Sequence, residues 1–172
     1  MSFGSQPSNP NFLSTVIFRF SIKRAPLIGF FAVEARLPSV RIDVAEQPTP
    51  FVTIPKPGTR IKYNTFSLTF RVDEDMQNYS ELYNWLSALG HREGFDAYKN
   101  LTNGNRYEDK AAVSDCTLMI LNSAKRPNIE ITFRDAFPVD LSAIDFSVEQ
   151  TDIRYATCNA EFTFRDFTLT KL

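Results

Sequence analysis

Residues 61–90 read IKYNTFSLTFRVDEDMQNYSELYNWLSALG, and the hydrophobic period changes once within them. Phe66, Leu68, Phe70 and Val72 alternate with Ser67, Thr69, Arg71 and Asp73. That two-residue period puts the large apolar side chains on one face of a strand and the polar ones on the other. Beyond the turn the spacing becomes helical: Tyr79, Leu82, Tyr83, Leu86 and Leu89 share one face of about three turns. Asp73, Glu74 and Asp75 fall where the helix begins, so their charge meets the positive end of its dipole, and Asp73 or Asp75 can supply the capping oxygen. Gly90 is the expected stop. Each large side chain buried this way contributes roughly 1.5–3 kcal/mol before conformational entropy is subtracted. The unit is a strand that feeds a helix, and the helix packs on a sheet.

Working outward, the residues before this unit give three further strands and one unusual segment. Residues 1–11 are polar and rich in Ser, Asn, Pro and Gly, and are expected to form a flexible N-terminal arm rather than a signal peptide. Val16, Phe18, Phe20 and Ile22 alternate with polar neighbours as a first strand, which Lys23-Arg24-Ala25-Pro26 turns. Ile28 to Leu37 runs back as a second strand, apolar on both faces, ended by Pro38. Val40, Ile42 and Val44 form a short third strand. In Glu46 to Arg60 the composition shifts: Pro48, Pro50, Pro55, Pro57 and Gly58 interrupt it, with Phe51, Val52 and Ile54 between them. Prolines block regular ladders, so residues 46–60 are expected to be a long, semi-rigid, partly extended loop. It either folds over its own core or docks on another subunit, because apolar residues on a loop are costly to leave wet.

After the central unit, His91 to Ser114 is the most polar stretch and is expected to be an irregular surface excursion. Four strands close the chain: Cys116 to Asn122, Asn128 to Asp135, Leu141 to Glu149, and Tyr155 to Leu172, the first two joined as a hairpin through Lys125-Arg126-Pro127-Asn128. In the last, Ala160, Phe162 and Phe164 keep one parity while Phe167 and Leu169 take the other. A switch around Arg165-Asp166 predicts a bulge or a strand that crosses between two sheets. The sum is a single domain over residues 1–172, mainly β with one packed helix (α+β), built as an antiparallel sandwich or barrel of seven or eight strands.

Composition and motifs leave little room for catalysis. Sixteen Phe among 172 residues favour strands and a packed interior. A net charge of −1, from 19 Lys plus Arg against 20 Asp plus Glu, provides no field to recruit nucleic acid or anionic lipid. No apolar run approaches the roughly 18 residues of a membrane span. His91 is the single histidine, so neither a histidine metal pair nor a relay can be assembled. Cys116 and Cys158 alternate with apolar neighbours and lack a CxxC partner, as reduced core residues do. Asp73-Glu74-Asp75 lacks the spacing and glycine of a calcium loop, and a helix start accounts for it without a cation. Trp85 is expected in the core or half-buried rather than as an interface anchor. No catalytic residue, metal or cofactor is expected, and the chain reads as a structural protein rather than an enzyme.

The central stretch also carries a resemblance. Pro55-Lys56-Pro57-Gly58, Tyr63-Asn64-Thr65-Phe66, Phe70-Arg71-Val72-Asp73-Glu74-Asp75, Asn78-Tyr79 and Asn84-Trp85-Leu86 follow one another in an order that resembles the tail tube proteins of contractile-tailed bacteriophages. The likeness covers about a third of the chain closely and the remainder loosely. It implies a virion tail protein, assembled in the host cytoplasm, whose six copies form a ring with an inner β-barrel. Rings would stack into a hollow tube beneath the tail sheath protein, starting from a baseplate tube-initiator, with tape-measure protein and DNA passing through without specific binding. The resemblance further implies that Phe51, Val52, Ile54, Pro55, Pro57 and Gly58 touch the next ring, and that Asp73, Glu74 and Asp75 start the helix near a subunit boundary. Three other readings stay open: a tube-initiator or proximal baseplate subunit, a type VI secretion tube protein, and a monomeric β-sandwich binding module.

Overall fold

A computed structural model describes residues 13, 17–90, 95–101, 112–146 and 155–172. The N-terminal arm, Val16, His91, Gly94, residues 102–111 and 147–154 lie outside the described residues. In chain order the elements are β1 (Phe18–Ile22), α1 (Pro26–Phe31), β2 (Ala32–Arg36), β3 (Val40–Pro48), β4 (Thr53–Tyr63), β5 (Phe66–Arg71), α2 (Gln77–Leu89), α3 (Phe95–Leu101), β6 (Ser114–Leu121), β7 (Pro127–Leu141), β8 (Thr157–Thr163) and β9 (Asp166–Lys171). Every strand pairing is antiparallel.

β7 belongs to two sheets. Its first half pairs with β6 and, from Ile129 to Arg134, with β9; its second half, from Phe137 to Leu141, pairs with β8. One layer is therefore β1-β6-β7-β9 and the other β7-β8-β5-β2. Between the two halves, Asp135 adopts φ 52 in a bulge, where the chain has one residue more than the facing part of β6. The parity switch expected at Arg165-Asp166 is where the chain leaves β8 and crosses to the other layer as β9.

The core lies between the layers. The even residues of β5 (Phe66, Leu68, Phe70) and of β8 (Cys158, Ala160, Phe162) are buried against Phe20, Cys116, Leu118, Ile131 and Phe133 from the facing layer. Phe66 is the hinge of the packing: its ring lies 4.6 Å from Phe133, 5.7 Å from Phe20 and 6.3 Å from Phe162, centroid to centroid. Aromatic pairs at such spacing add to what area burial supplies.

Five expectations need correction. Ile28 to Leu37 is not one strand: residues 26–31 form α1, and only Ala32–Arg36 is extended, pairing with β5. Pro26 in the first helical turn is pre-set for a helix start, and an apolar run on its own does not separate a short helix from a strand. The expected loop over residues 46–60 is part of a β3–β4 hairpin, described below. β7 extends to Leu141, and residues 142–146 form no ladder, so the strand predicted from Leu141 to Glu149 is absent there. The excursion after His91 contains α3. The described residues thus hold nine strands and three helices, in place of seven or eight strands and one helix.

Helix α2 begins and ends as its residues predict, with its face rotated. Asn78, Leu82, Trp85 and Ala88 are its buried residues, whereas Tyr83 is exposed. Trp85 belongs to the core, and its indole Nε1–H donates to the Ala112 carbonyl at 3.0 Å. Asn78, fully buried, donates from Nδ2 to the Arg71 carbonyl at 2.8 Å and so ties the helix start to the end of β5. Asp73 provides the cap: Oδ2 accepts from the Gln77 amide at 3.1 Å and Oδ1 from the Asn78 amide at 3.0 Å. The N-cap position itself is Met76, in the left-handed region at φ 53, and carries no side-chain bond. At the far end the Gly90 amide donates to the Leu86 carbonyl at 3.0 Å.

Two stability predictions follow from these placements. Asp73→Ala leaves two first-turn amides without their acceptor and should cost about 1–2 kcal/mol, whereas Asp75→Ala, exposed, should stay within roughly 0.5 kcal/mol; urea titrations of the two variants discriminate the capping residue. Gly29 packs so closely on β1 that a Cβ there would fall on the Phe20 carbonyl oxygen. Gly29→Ala must push α1 off the sheet, and should lower stability by about 1–3 kcal/mol in the same titration.

Candidate assembly surface

β3 and β4 form their own two-stranded sheet, separate from the seven-stranded one. The ladder runs from Val40 opposite Tyr63 to Pro48 opposite Thr53, with a register shift between Ile42 and Val44. The prolines do not prevent it. Pro55 and Pro57 are two residues apart, which lets both missing donors fall on the outer edge of a ribbon whose strands each have one unpaired side. Thr49 closes the tip: its amide donates to the Val52 carbonyl at 3.1 Å, its hydroxyl bonds the same oxygen, and the Val52 amide returns a bond to Thr49 Oγ1 at 3.2 Å. Gly58 sits where β4 passes Asp43, and a Cβ there would meet the Asp43 carbonyl oxygen.

Directly opposed residues of an antiparallel pair project to the same face. One face of the ribbon therefore carries Val40, Ile42 and Val44 of β3 with Pro55, Pro57 and Ile61 of β4, and a single charge, Glu46 opposite Pro55, towards the tip. The other carries Arg41, Asp43 and Gln47 with Lys56 and Lys62, and a Lys62–Asp43 ion pair at 2.9 Å lies on it. The apolar face has nothing covering it among the described residues: Ile42 is 53%, Val44 61% and Ile61 57% exposed, and Phe51 at the tip is 97% exposed. Contact with the core comes at the base, where the Tyr63 ring lies 5.5 Å from Phe164 and 5.4 Å from Phe167. The 11 residues of β4 would carry the tip on the order of 30 Å from that root. An isolated two-stranded hairpin is marginal in water, and a contiguous exposed apolar face marks an interaction site.

The residues singled out in the sequence divide accordingly. Phe51 and Val52 form the tip, Pro55 and Pro57 lie on the apolar face, Gly58 is at the register shift, and Ile54 falls on the polar face opposite Gln47. Reading Val40, Ile42 and Val44 as a strand was correct, but that alternation faces outward, and with Ile61 it supplies the apolar face that sequence reasoning did not assign. Asp73, Glu74 and Asp75 are not near this ribbon's ladder; they lie at the start of α2 on the main sheet.

A second surface is polar. The outer face of the β8-β5-β2 layer presents Ser67, Thr69, Asn159 and Glu161, with Glu34 and Arg36 from β2. Ser67 Oγ donates to Asn159 Oδ1 at 2.7 Å and Thr65 Oγ1 to Glu161 Oε2 at 2.9 Å. A shallow groove of about 220 Å³ runs between Glu34, Arg36, Ser67, Thr69 and Asn159. Short hydroxyl and amide groups that bond one another leave a wet, low-relief surface of mixed charge.

Neither cysteine is placed for nucleophilic chemistry. Both are free and buried, Cys116 on β6 and Cys158 on β8. Burial, with Asp115 adjacent, pushes the Cys116 thiol up to about 12, so it stays protonated at neutral pH.

Comparison with known proteins agrees with this geometry. The chain is 25% identical over 168 residues to the tail tube terminator protein of Enterobacteria phage T4, covering 94% of this chain and 90% of that one. Its fold is similar to the tube-terminating cap of the anti-feeding prophage, with a TM-score of 0.63 at 13% identity and all of both chains covered. It is also similar to a chain in the sheath–tube complex of the extracellular contractile injection system PVC, with a TM-score of 0.60 at 12% identity and the same full coverage. A sequence model described as phage tail tube protein matches residues 8–170, and on that match the chain belongs to the phage tail tube protein family.

Proposed function

We propose that this chain is the subunit of a six-membered ring in the inner tube of a contractile phage tail, and that the ring bounds the conduit through which tape-measure protein and DNA leave. The observation that carries the reading is the β3–β4 ribbon: rooted at Tyr63, apolar along one face and uncovered, it is built to lie on another subunit. Family membership supports the neighbouring ring as what it meets. In that arrangement Phe51, Val52, Pro55 and Pro57 contact the next ring together with Val40, Ile42, Val44 and Ile61, and Gly58 keeps the two strands close. The outer face of β8-β5-β2 is the one suited to the lumen. Its hydroxyls and amides satisfy one another, its charges are of both signs, and no cationic stripe would hold a passing phosphate backbone. Joining β2 to a sheet edge of the adjacent copy would also remove an unpaired edge strand. The sheath protein on the outside and a baseplate initiator at the start of the tube are the remaining partners, and assembly takes place in the host cytoplasm.

The relative in phage T4 favours a specific place for the ring, the terminating end of the tube. The two positions differ in what the purified protein does. A repeating subunit stacks on itself, so tubes lengthen with concentration. A terminator forms rings that do not extend but bind one end of a tube made by another subunit.

Negative-stain microscopy with light scattering over a concentration series is the test. Rings with a central hole are expected; particles that stay near the 19.6 kDa of one chain at every concentration would overturn the assignment. Ile42→Asp combined with Ile61→Lys, an opposite-charge pair across the ladder, should leave thermal unfolding of the subunit within a few degrees of wild type, because both side chains are exposed, and leave rings intact. The same variant should abolish stacking or tube capping, and unaltered stacking would remove the ribbon from the contact.

A further inference from the structure

The outer face of the β7-β8-β5-β2 layer holds one charge arrangement that the subunit leaves uncompensated. Asp140 of β7 lies directly opposite Glu161 of β8, and directly opposed residues share a face. Like charges in that position are destabilising. Glu161 accepts from Thr65 Oγ1 at 2.9 Å, but neither carboxylate has a cationic partner among the described residues. The register continues across the layer: Glu161 is opposite Ser67 of β5, and Ser67 is opposite Arg36 of β2. One transverse row therefore carries two carboxylates at its β7 end and a guanidinium at its β2 end. Arg36 also makes no ion pair among the described residues, and three strand spacings, roughly 14 Å, keep it from the Asp140 of its own chain.

Both ends of the row are open edges. Among the described residues β2 pairs with β5 alone, and β6 ends its pairing at Ala136, so residues 137–141 of β7 pair with β8 alone. Unpaired amides and carbonyls along an edge are a template for another strand. Because every pairing in the layer is antiparallel, β2 and the second half of β7 run in opposite directions. The β2 of one copy can therefore extend the layer by pairing antiparallel with the β7 of the next. Copies joined in this way run head to tail, and such a heterologous contact closes into a ring when the rotation permits. Two β7 edges joined about a two-fold axis would instead bring two carboxylate pairs together.

We infer that Arg36 of one copy lies against the Asp140–Glu161 pair of the adjacent copy, and that this row of charges sets the direction and register in which the layer continues around the ring. The inference rests on the ring reading above, in which β2 joins a sheet edge of its neighbour. It adds which edge that is and which side chains hold it in place. In the unshifted register the adjacent row, Glu34–Thr69–Asn159, meets the uncharged Ser142, which is tied to Asn159 by its amide at 2.8 Å. Closing a sheet into a barrel staggers such rows. A two-residue stagger that sets Arg36 opposite Ser142 leaves it diagonal to Asp140, within reach of a long side chain. The opposite stagger sets Glu34 against Asp140 and is disfavoured.

Charge reversal on each side, followed by sedimentation velocity, tests the contact on the full chain. Arg36→Glu and Asp140→Arg each place like charges together across the contact, and each should raise the concentration for half-assembly by about tenfold or more at low salt. Combining them restores opposite charges and should bring assembly back to within about threefold of wild type. Circular dichroism melts separate this from damage to the subunit. Asp140→Arg turns two opposed carboxylates into an opposite-charge pair within the chain, so it should melt no lower than wild type while assembling less well. Wild-type rings that neither reversal weakens, or whose weakening the combination does not reverse, overturn this contact and leave the ring reading standing. A wild-type chain that remains monomeric overturns both.

Discussion

The fold depends on one strand serving two sheets. β7 holds β6 and β9 along its first half and β8 along its second, and the change happens over a single bulged residue, Asp135. Once β7 turns that corner the two layers must face each other, and the Phe side chains fill the space between them. Phe66 touches aromatic rings from β1, β7 and β8. Removing one ring from such a cluster forfeits dispersion with several partners, which is why a Phe-rich core of this kind tolerates little change in shape. The corner is held by polar groups as well: the Arg165 amide donates to the Arg134 carbonyl at 3.0 Å while its side chain pairs with Asp135. The same arginine therefore holds both strands at the crossing from β8 to β9.

What the closed core leaves outside follows from that geometry. The ribbon follows β2 and precedes β5 in the chain, with Tyr63 at its base packed on Phe164 and Phe167 and Phe51 at its tip fully exposed. Its apolar face gains nothing in the free subunit; covering it removes Val, Ile and Pro surface from water at about 25 cal/mol per Å². A subunit laid on that face, as proposed above, would supply the third layer that two strands lack.

Much of this was legible in the residues, for identifiable reasons. The period of two in Phe66 to Val72, the acidic turn, and the stop at Gly90 depend only on neighbours along the chain, and all three hold. The parity break at Arg165-Asp166 was readable too, because a strand that changes sheets must exchange its inside and outside positions. α1 was not, since Leu27-Ile28-Gly29-Phe30-Phe31 is apolar under any period and Pro26 fits a turn as well as a helix start. The face of α2 was misphased by the tyrosines: Tyr83 is apolar enough to mimic a core residue, while the buried polar Asn78 earns its place through the Arg71 carbonyl. The ribbon was missed because proline is a poor ladder residue only on its donor side, and which side that is depends on the pairing.

Fold and place in the tail are decided by different residues. Identity of 12–13% suffices to retain the architecture across the compared tube and cap structures, because the architecture needs only buried parity, a corner in one strand and a helix tied to the end of another. Place in the tail needs surfaces. A ring whose two ends are complementary to each other repeats without limit; a ring that ends a tube must present one face to the preceding ring and withhold the reciprocal one from its own kind. The contact that closes the ring is common to both cases and can stay unchanged. If the ribbon joins rings as proposed above, it or the surface that would receive it must differ. Residues such as Phe51, Ile42 and Ile61, which are worth little to the stability of the free subunit, are therefore where a tube protein and a terminator of the same fold are expected to part.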